Sequence, residues 1–163
     1  MGKTTVKVVN LKYGTVGGDA TTELKGILKG LTIAQDEPDS TEIEAEIFDS
    51  PFDIFYEGKP VTMTFELANY ELSELVPLFG GSIDSETGVY TGASTAYTSE
   101  HSWQLEFGRG HKALYIYKGL TIGTLKKDAD GALNYSVTIT ALVHYVTVGN
   151  EKKGRMYKIV HRT

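Results

Sequence analysis

Hydrophobic and polar residues alternate with a period of two along most of this chain, as in strands with one dry and one wet face. The clearest case is 41–47, where Glu42, Glu44 and Glu46 share one face and apolar residues share the other. β-branched and aromatic residues, which strands favour, are frequent in these stretches. The pattern predicts strands at 4–12, 24–34, 41–47, 52–57, 61–67, 89–97, 102–107, 112–123, 137–143 and 155–161.

One segment has helical spacing instead. Its apolar residues recur at i, i+3, i+4 and i+7, which predicts a short helix at 70–79 with one buried stripe. Asn69 is expected to be the N-cap, and Gly80 with Gly81 to end the helix. Pro77 should shorten or kink the last turn, because proline has no N–H to donate. The stripe that we expect to pack against the strands consists of Leu72, Leu75, Val76 and Phe79.

These elements predict a single all-β domain, 1–163, that carries one short helix. The 163 residues are a usual length for one domain, and hydrophobic residues make up 40% of them, enough to bury a core. No repeat, low-complexity tract or linker divides the chain. Turn residues at 57–60 and 128–131 are typical of tight connections between strands.

Charge is distributed unevenly. Residues 21–60 carry ten acids and three lysines, and 61–100 carry six acids and no base. Residues 101–163 carry ten bases and four acids, so the last third is basic although the whole chain has a net charge of −5. One interpretation is an ordinary mixed surface. The other is a polar subunit whose acidic part contacts the basic part of a neighbour.

The sequence offers little catalytic or ligand-binding chemistry. Gly2-Lys3-Thr4-Thr5 lacks the strand and the first glycine of a phosphate-binding loop, and the turn at 128–131 lacks the other acids of a calcium loop. Asp36, Glu37 and Asp39 could chelate a cation, but a solvated acidic loop is the ordinary explanation. The four histidines are scattered without metal-ligand spacing. We therefore expect no enzymatic activity, no metal and no cofactor.

Compartment and membrane signals are also sparse. The chain has no cysteine, which excludes disulfides and thiolate chemistry and is compatible with a reducing compartment. Its apolar runs are shorter than a signal peptide core or the roughly 18 residues of a membrane span. We therefore expect neither export by the general pathway nor insertion into a membrane.

The stretch from about 25 to 81 resembles the tail tube proteins of long-tailed bacteriophages. A strand that ends in Gly30-Leu31-Thr32-Ile33 is followed by a polar acidic loop and a second strand at 42–47. Asp49-Ser50-Pro51 comes next, and then a third strand at 60–67. The match ends with the short helix that closes on Leu78-Phe79-Gly80-Gly81. It covers about a third of the chain and rests on an order of elements rather than on a catalytic motif.

The resemblance implies a structural protein. Such subunits have two packed antiparallel sheets flanked by a helix, a tail-tube-like β-sandwich or barrel, and they close into hexameric rings that stack helically. One sheet of each subunit joins its neighbours in a continuous β-barrel around a lumen, through which genomic DNA passes during ejection. The implied partners are copies of the chain, other tail proteins and, transiently, DNA. The implied location is the virion tail, after assembly in the host cytoplasm.

Two groups of residues acquire expected roles from this resemblance. Glu42, Glu44 and Glu46 are candidates for the lumen wall, because inward cations would bind phosphates and stall DNA; the outer surface is the alternative for this face. In such subunits a long loop between two early strands reaches the adjacent ring. Here that loop is expected to comprise Gln35, Asp36, Glu37, Pro38, Asp39 and Ser40.

Other functions stay open on the sequence. The resemblance does not separate a flexible tail from a contractile tail or a related injection machine. A β-sandwich binding module, for carbohydrate for example, would use exposed aromatics such as Tyr90, Tyr97 or Trp103 as stacking platforms. Self-assembly into rings or tubes favours the first function, and stable monomers favour the second.

Overall fold

Antiparallel strands and one short helix make up the structure, a computed structural model that describes residues 8–37, 39–43, 53–57, 59–94, 97–107, 112–127, 131 and 133–161. The all-β prediction with one helix is confirmed. In chain order the elements are β1 (Val8–Gly14), β2 (Ala20–Glu23), β3 (Ile27–Gln35), β4 (Asp39–Ile43), β5 (Asp53–Glu57), β6 (Val61–Ala68), α1 (Leu72–Phe79), β7 (Ser82–Ile83), β8 (Tyr90–Thr91), β9 (Ser99–Phe107), β10 (Lys112–Lys127), β11 (Leu133–Ala141), β12 (His144–Val148), β13 (Glu151–Arg155) and β14 (Tyr157–His161).

Eight of these strands form one curled antiparallel sheet, a half-barrel against which smaller sheets pack. Its strand order is β2-β1-β9-β10-β11-β6-β3, and β14 pairs with β10 beside this path. The remaining strands form the ladders β4–β5, β7–β8 and β12–β13. The packed layers that the resemblance implied thus come mainly from the curvature of one large sheet.

The 16-residue strand β10 organises this sheet. One of its edges pairs with β9. The other edge pairs first with β14, at residues 112–116, and then with β11, at residues 119–127. Two strands that are distant from each other in sequence therefore lie end to end along the same edge.

Alternating side chains from these strands build the core. Met63, Leu67, Trp103 and Ile139 are all fully buried, and the intervening threonines of β6 and β11 lie on the wetter face. The Trp103 indole Nε1 donates to the Thr121 hydroxyl over 3.2 Å, which satisfies its only polar group inside the core.

Most predicted strands coincide with observed ones, but the prediction at 89–97 differs, and β2, β7 and the hairpin β12–β13 were not predicted. The prediction at 89–97 is wrong beyond Tyr90–Thr91, which pair only with the short strand β7. Tyr97 lies against the helix end instead, where a Cβ on Gly80 would approach its ring within 2.7 Å, and residues 95 and 96 lie outside the described residues. The hairpin β12–β13 was missed, because 144–155 has little alternation of apolar and polar residues.

Helix α1 is present, but its buried face is rotated relative to the predicted stripe. Leu75 and Phe79 are buried as expected, whereas Leu72 is 43% exposed and Val76 only half-buried. The prediction is wrong for these two residues. Their places are taken by neighbours on the side that faces the sheet: Glu74 and Leu78.

The helix boundaries explain part of this rotation. Asn69 is not the N-cap: its φ of 48° lies in the left-handed region, and the helix begins after Glu71, which makes no side-chain cap. The C-terminal end is fixed by Phe79, whose ring stacks on Tyr135 at 4.7 Å between centroids. Gly123 leaves the space for that ring, since a Cβ there would lie 2.2 Å from the Phe79 Cε1.

Glu74 is an unusual residue for this buried face. Its Oε1 accepts a hydrogen bond from the Lys25 N–H over 3.1 Å, while Oε2 is buried without a hydrogen-bond partner among the described residues. Burial raises the pKa of Glu74, the backbone N–H groups of Lys25 and Gly26 oppose that rise, and the Glu71 charge adds to it. The helix therefore contacts the β2–β3 connection through a carboxyl group that is costly to ionise.

The substitution Leu75→Ala should destabilise the domain by about 2–5 kcal/mol, because it leaves a cavity at a position that is 1% exposed. The matched control is Leu72→Ala in the same helix, with an expected loss within about 0.5 kcal/mol. Denaturant unfolding of the two variants measures both values. A loss below about 1 kcal/mol at Leu75 would contradict this packing.

A second variant tests the buried carboxyl. Because the folded pKa of Glu74 is raised, its contribution to stability is present at low pH and is lost as pH rises through the folded pKa. Glu74→Gln should therefore raise the melting temperature at neutral pH and leave it unchanged well below the ordinary glutamate pKa. Thermal unfolding between about pH 3 and pH 8 measures this difference. A constant difference at all pH values would show that Glu74 does not titrate in the fold.

Candidate assembly surfaces

The two ends of the large sheet are open edges. β2 and β3 each pair with one neighbour within the described part of the chain, so one edge of each lacks a strand partner. Such an edge presents N–H and C=O groups that can pair with another strand. The sheet can therefore be extended at both ends by strands from other chains.

A long excursion leaves the sheet between β3 and β6. These strands pair with each other, with Gln35 opposite Val61, so residues 36–60 leave the sheet and return to it at one place. We call this segment the acidic arm, because it carries nine acids and one lysine. The Gln35 Nε2 donates to the Lys59 carbonyl over 2.9 Å and closes the base of the arm. Within the arm, β4 and β5 pair with each other.

The predicted inter-ring loop lies in this arm, but only part of it is loop. Gln35 is the last residue of β3, and Asp36 and Glu37 are exposed in the connection that follows. Pro38 lies outside the described residues. The loop assignment is wrong for Asp39 and Ser40: they begin β4 opposite Glu57 and Tyr56. Pairing with a strand 14 or more residues away decided their conformation, although their composition is that of a loop.

One of the three glutamates proposed for the lumen wall lies in a described strand. Glu42 lies in β4, and Glu44 and Glu46 lie outside the described residues. Since β4 pairs with β5 and is not one of the eight strands of the large sheet, this strand belongs to the arm. The lumen role of these residues stays a prediction.

A second excursion leaves the sheet between β11 and β14. The segment 142–156, which we call the basic hairpin, contains β12 and β13 and carries three bases and one acid. At its base the Leu142 N–H donates to the Lys118 carbonyl and the Tyr117 N–H to the Met156 carbonyl. The hairpin therefore starts and ends at the point on β10 where β11 and β14 meet.

Cations and aromatic rings cluster at this point. The Arg155 guanidinium carbon lies 3.9 Å from the centroid of the Tyr117 ring, and the Lys158 ammonium lies 4.9 Å from that of Tyr115. His144 is parallel to Tyr117 and accepts a hydrogen bond from Arg155 Nε to its Nδ1 over 3.3 Å. We call these five residues the cation–aromatic cluster. Stacking of this kind holds cations in place while their remaining N–H groups point outward.

The cluster rests on a rigid support. The Gly17 N–H donates to the Tyr117 carbonyl over 2.8 Å, and the Tyr115 hydroxyl donates to the Gly18 carbonyl. Gly17 has a φ of 73°, and a Cβ at this position would lie 2.5 Å from the His144 ring. The β1–β2 turn is therefore packed directly under the imidazole.

An apolar groove lies at the base of the acidic arm. It has a volume of about 350 Å³ and joins the ends of β3 and β6 to β10 and β14. Several of its aliphatic and aromatic residues are exposed, including Ile33 at 41% and Ile159 at 59%. Exposed apolar surface of this kind is typical of contact sites.

The aromatic platforms of the alternative function are mostly absent from the surface. Trp103 is fully buried, so that assignment is wrong for this residue. Tyr90 is half-buried and donates its hydroxyl to the Gly80 carbonyl over 2.6 Å. Only Tyr97 of the three is exposed, at 43%.

The described part of the chain contains neither a metal-ligand cluster nor a membrane-spanning helix. No group of three or more His, Asp or Glu side chains in those residues is arranged to hold a metal ion. In the same residues, no helix is long and apolar enough to cross a membrane.

Sequence reasoning missed the cation–aromatic cluster. Tyr115 and Tyr117 share a strand, and Arg155 and Lys158 lie some 40 residues later, so no local motif connects them. The only sequence signal was the excess of bases in the last third of the chain. Compared with known proteins, the chain matches no protein-family model and no curated protein.

Proposed function

We propose that this protein is a structural subunit that assembles with copies of itself into a tube, as the tail tube of a long-tailed phage does. The observation that carries the proposal is the open curled sheet, whose end strands β2 and β3 each lack one neighbour in the described residues. A half-barrel with two free edges is completed when further copies continue it. A head-to-tail contact of this kind closes into a ring when the rotation between copies is right.

The elements of the resemblance support this proposal by their positions. Residues 30–33 lie in β3, and residues 61–67 lie in its partner β6. The helix that ends at Phe79 packs over the same sheet through Leu75 and Leu78. Three of the segments that suggested the family, β3, β6 and the helix, therefore form one connected part of the domain, while the strand at 42–47 belongs to the acidic arm and is described only as far as Ile43.

The acidic arm gives the proposal its second contact. It starts at an edge strand, and its β4–β5 ladder forms a sheet of its own. A ladder that lies outside the large sheet can pair with or pack against a neighbouring copy. We assign the arm to contact between successive rings and the sheet edges to contact within a ring.

The tube would act as a passive channel for DNA. Its wall has to avoid binding phosphate, so it has to be neutral or acidic. Threonines on the wetter face of β6 and β11 meet that requirement, with Thr62 opposite Thr140 and Thr64 opposite Thr138. The lumen role of Glu42, Glu44 and Glu46 is the alternative within the same proposal.

Purified protein should form rings or tubes as its concentration rises or when preformed tail tips are added as seeds. The reason is that the edges of β2 and β3 that lack a strand partner among the described residues can pair with strands of other copies. Negative-stain electron microscopy and sedimentation velocity measure the outcome. Monomers at millimolar concentration, even with seeds, would contradict the proposal.

Proline substitutions in β2 supply the control for that experiment. Thr21 and Thr22 are adjacent and exposed, and neighbouring residues of a strand point their N–H groups to opposite edges. Proline removes the N–H on the outer edge at one position and on the β1 side at the other. One variant should keep its melting temperature and lose assembly, and the other should lose stability.

Removal of the acidic arm tests the contact between rings. Because Gln35 lies opposite Val61, residues 36–60 can be replaced by Asn-Gly, a two-residue turn that joins directly opposed positions. The shortened protein should fold and form rings, and it should fail to elongate into tubes. Circular dichroism and electron microscopy measure the two properties. Long tubes from the shortened protein would show that the arm has another role.

A further inference from the structure

We propose that the cation–aromatic cluster is the receptor for the acidic arm of a second copy. The cluster would bind the carboxylates at the start of that arm, Asp36, Glu37 and Asp39. This inference rests on the proposed self-assembly and names the two surfaces that meet in it. The cations of the cluster attract an external anion, and the arm of another copy supplies one.

The cations of the cluster differ from the ion-paired lysines of the domain. Several lysines in the described residues are paired with a carboxylate, as Lys118 is with Glu100 and Lys25 with Glu71. Arg155 and Lys158 contact aromatic rings and an imidazole instead, with no carboxylate within salt-bridge distance in the described part of the chain. Their charge is therefore not neutralised by a carboxylate of the described residues.

The geometry suits a carboxylate. Stacking on Tyr117 leaves the edge of the Arg155 guanidinium free for a planar, two-pronged acceptor, because only Nε is used by His144. The exposed Lys158 ammonium lies 5.8 Å from the same ring and adds a second charge. Both side chains are already held by aromatic contacts, so less conformational entropy is lost when an anion binds.

The acidic arm of the same copy begins on the other face of β14 from Lys158. The arm starts beside the apolar groove, which is lined from β14 by Tyr157 and Ile159. Successive side chains of a strand point to opposite faces, so Lys158 lies on the other face of β14 and opposite Tyr115. The start of the arm and the Lys158 side chain thus lie toward opposite faces of β14, which favours a head-to-tail contact between copies.

Charge complementarity identifies the occupant. The arm contains nine of the 21 acidic residues of the chain within 25 positions, and Asp36 and Glu37 are exposed. Nucleic acid is another polyanion, but a tube that passes DNA would be hindered by a surface that binds it.

A charge-reversal cycle tests the inference. The cluster variant is Arg155→Glu with Lys158→Glu, the arm variant is Asp36→Lys, Glu37→Lys and Asp39→Lys, and the third protein carries all five changes. Each single set should raise the concentration needed for self-association by more than about tenfold, and the combined protein should recover most of that loss. Wild-type association should also weaken as salt rises from about 0.1 M to about 1 M.

A matched control has the same change of charge outside the cluster. Lys152→Glu with Lys153→Glu reverses two exposed lysines of the same hairpin and should leave association within about threefold of wild type. Circular dichroism and melting temperature show whether each variant is folded. Should the reversed cluster unfold the hairpin, Arg155→Gln with Lys158→Gln serves as the milder variant. A purely structural cluster would lower the melting temperature without rescue by the arm changes.

Sedimentation velocity and electron microscopy give distinguishable outcomes. Association that is lost in both variants and restored in the combined protein supports the inference. If the cluster variants assemble as the wild type does, the inference is overturned and the proposed function stands. Absence of any wild-type association overturns both. If the wild-type protein binds a labelled DNA duplex and the cluster variants do not, the cluster is a nucleic-acid site instead.

Discussion

Backbone pairing along both edges of β10 holds the domain together. One edge joins β9, and through it β1 and β2; the other joins β11, β6 and β3, with β14 in line behind β11. Within the described strands, the ladder of backbone hydrogen bonds passes from one half of the half-barrel to the other through β10. The core side chains Trp103, Ile116 and Ile139 lie on β10 and its immediate neighbours, where the two halves meet.

The sheet also explains where the two excursions lie. Each begins and ends at a site of closed pairing: Gln35 opposite Val61 for the acidic arm, and the junction of β11 with β14 for the basic hairpin. A segment anchored in this way can change in length and charge without disturbing the core. The scaffold thus supplies stability, and the arm and the hairpin supply opposite charges for contact with other chains.

The position of helix α1 on the sheet requires the burial of a carboxyl group. Glu74 is buried at the base of the helix with an unpaired oxygen, and the Lys25 N–H satisfies only the other one. Phe79 at the opposite end enters the space left by Gly123. Both ends of the helix are thereby set by the sheet and the β2–β3 connection, and the exposure of Leu72 follows from that setting.

The sequence by itself determined the all-β class, the existence of the helix, the lack of thiol chemistry and the separation of acidic and basic blocks. These are local properties: a period of two or of 3.6, or a count of residues, needs no knowledge of distant neighbours. Only the tertiary structure decided that Leu78 and Glu74 face the core instead of Leu72, and that Asp39 and Ser40 belong to a strand. It alone brought Tyr117 to Arg155, because a contact across some 40 residues depends on which strands pair, and pairing depends on the whole sheet.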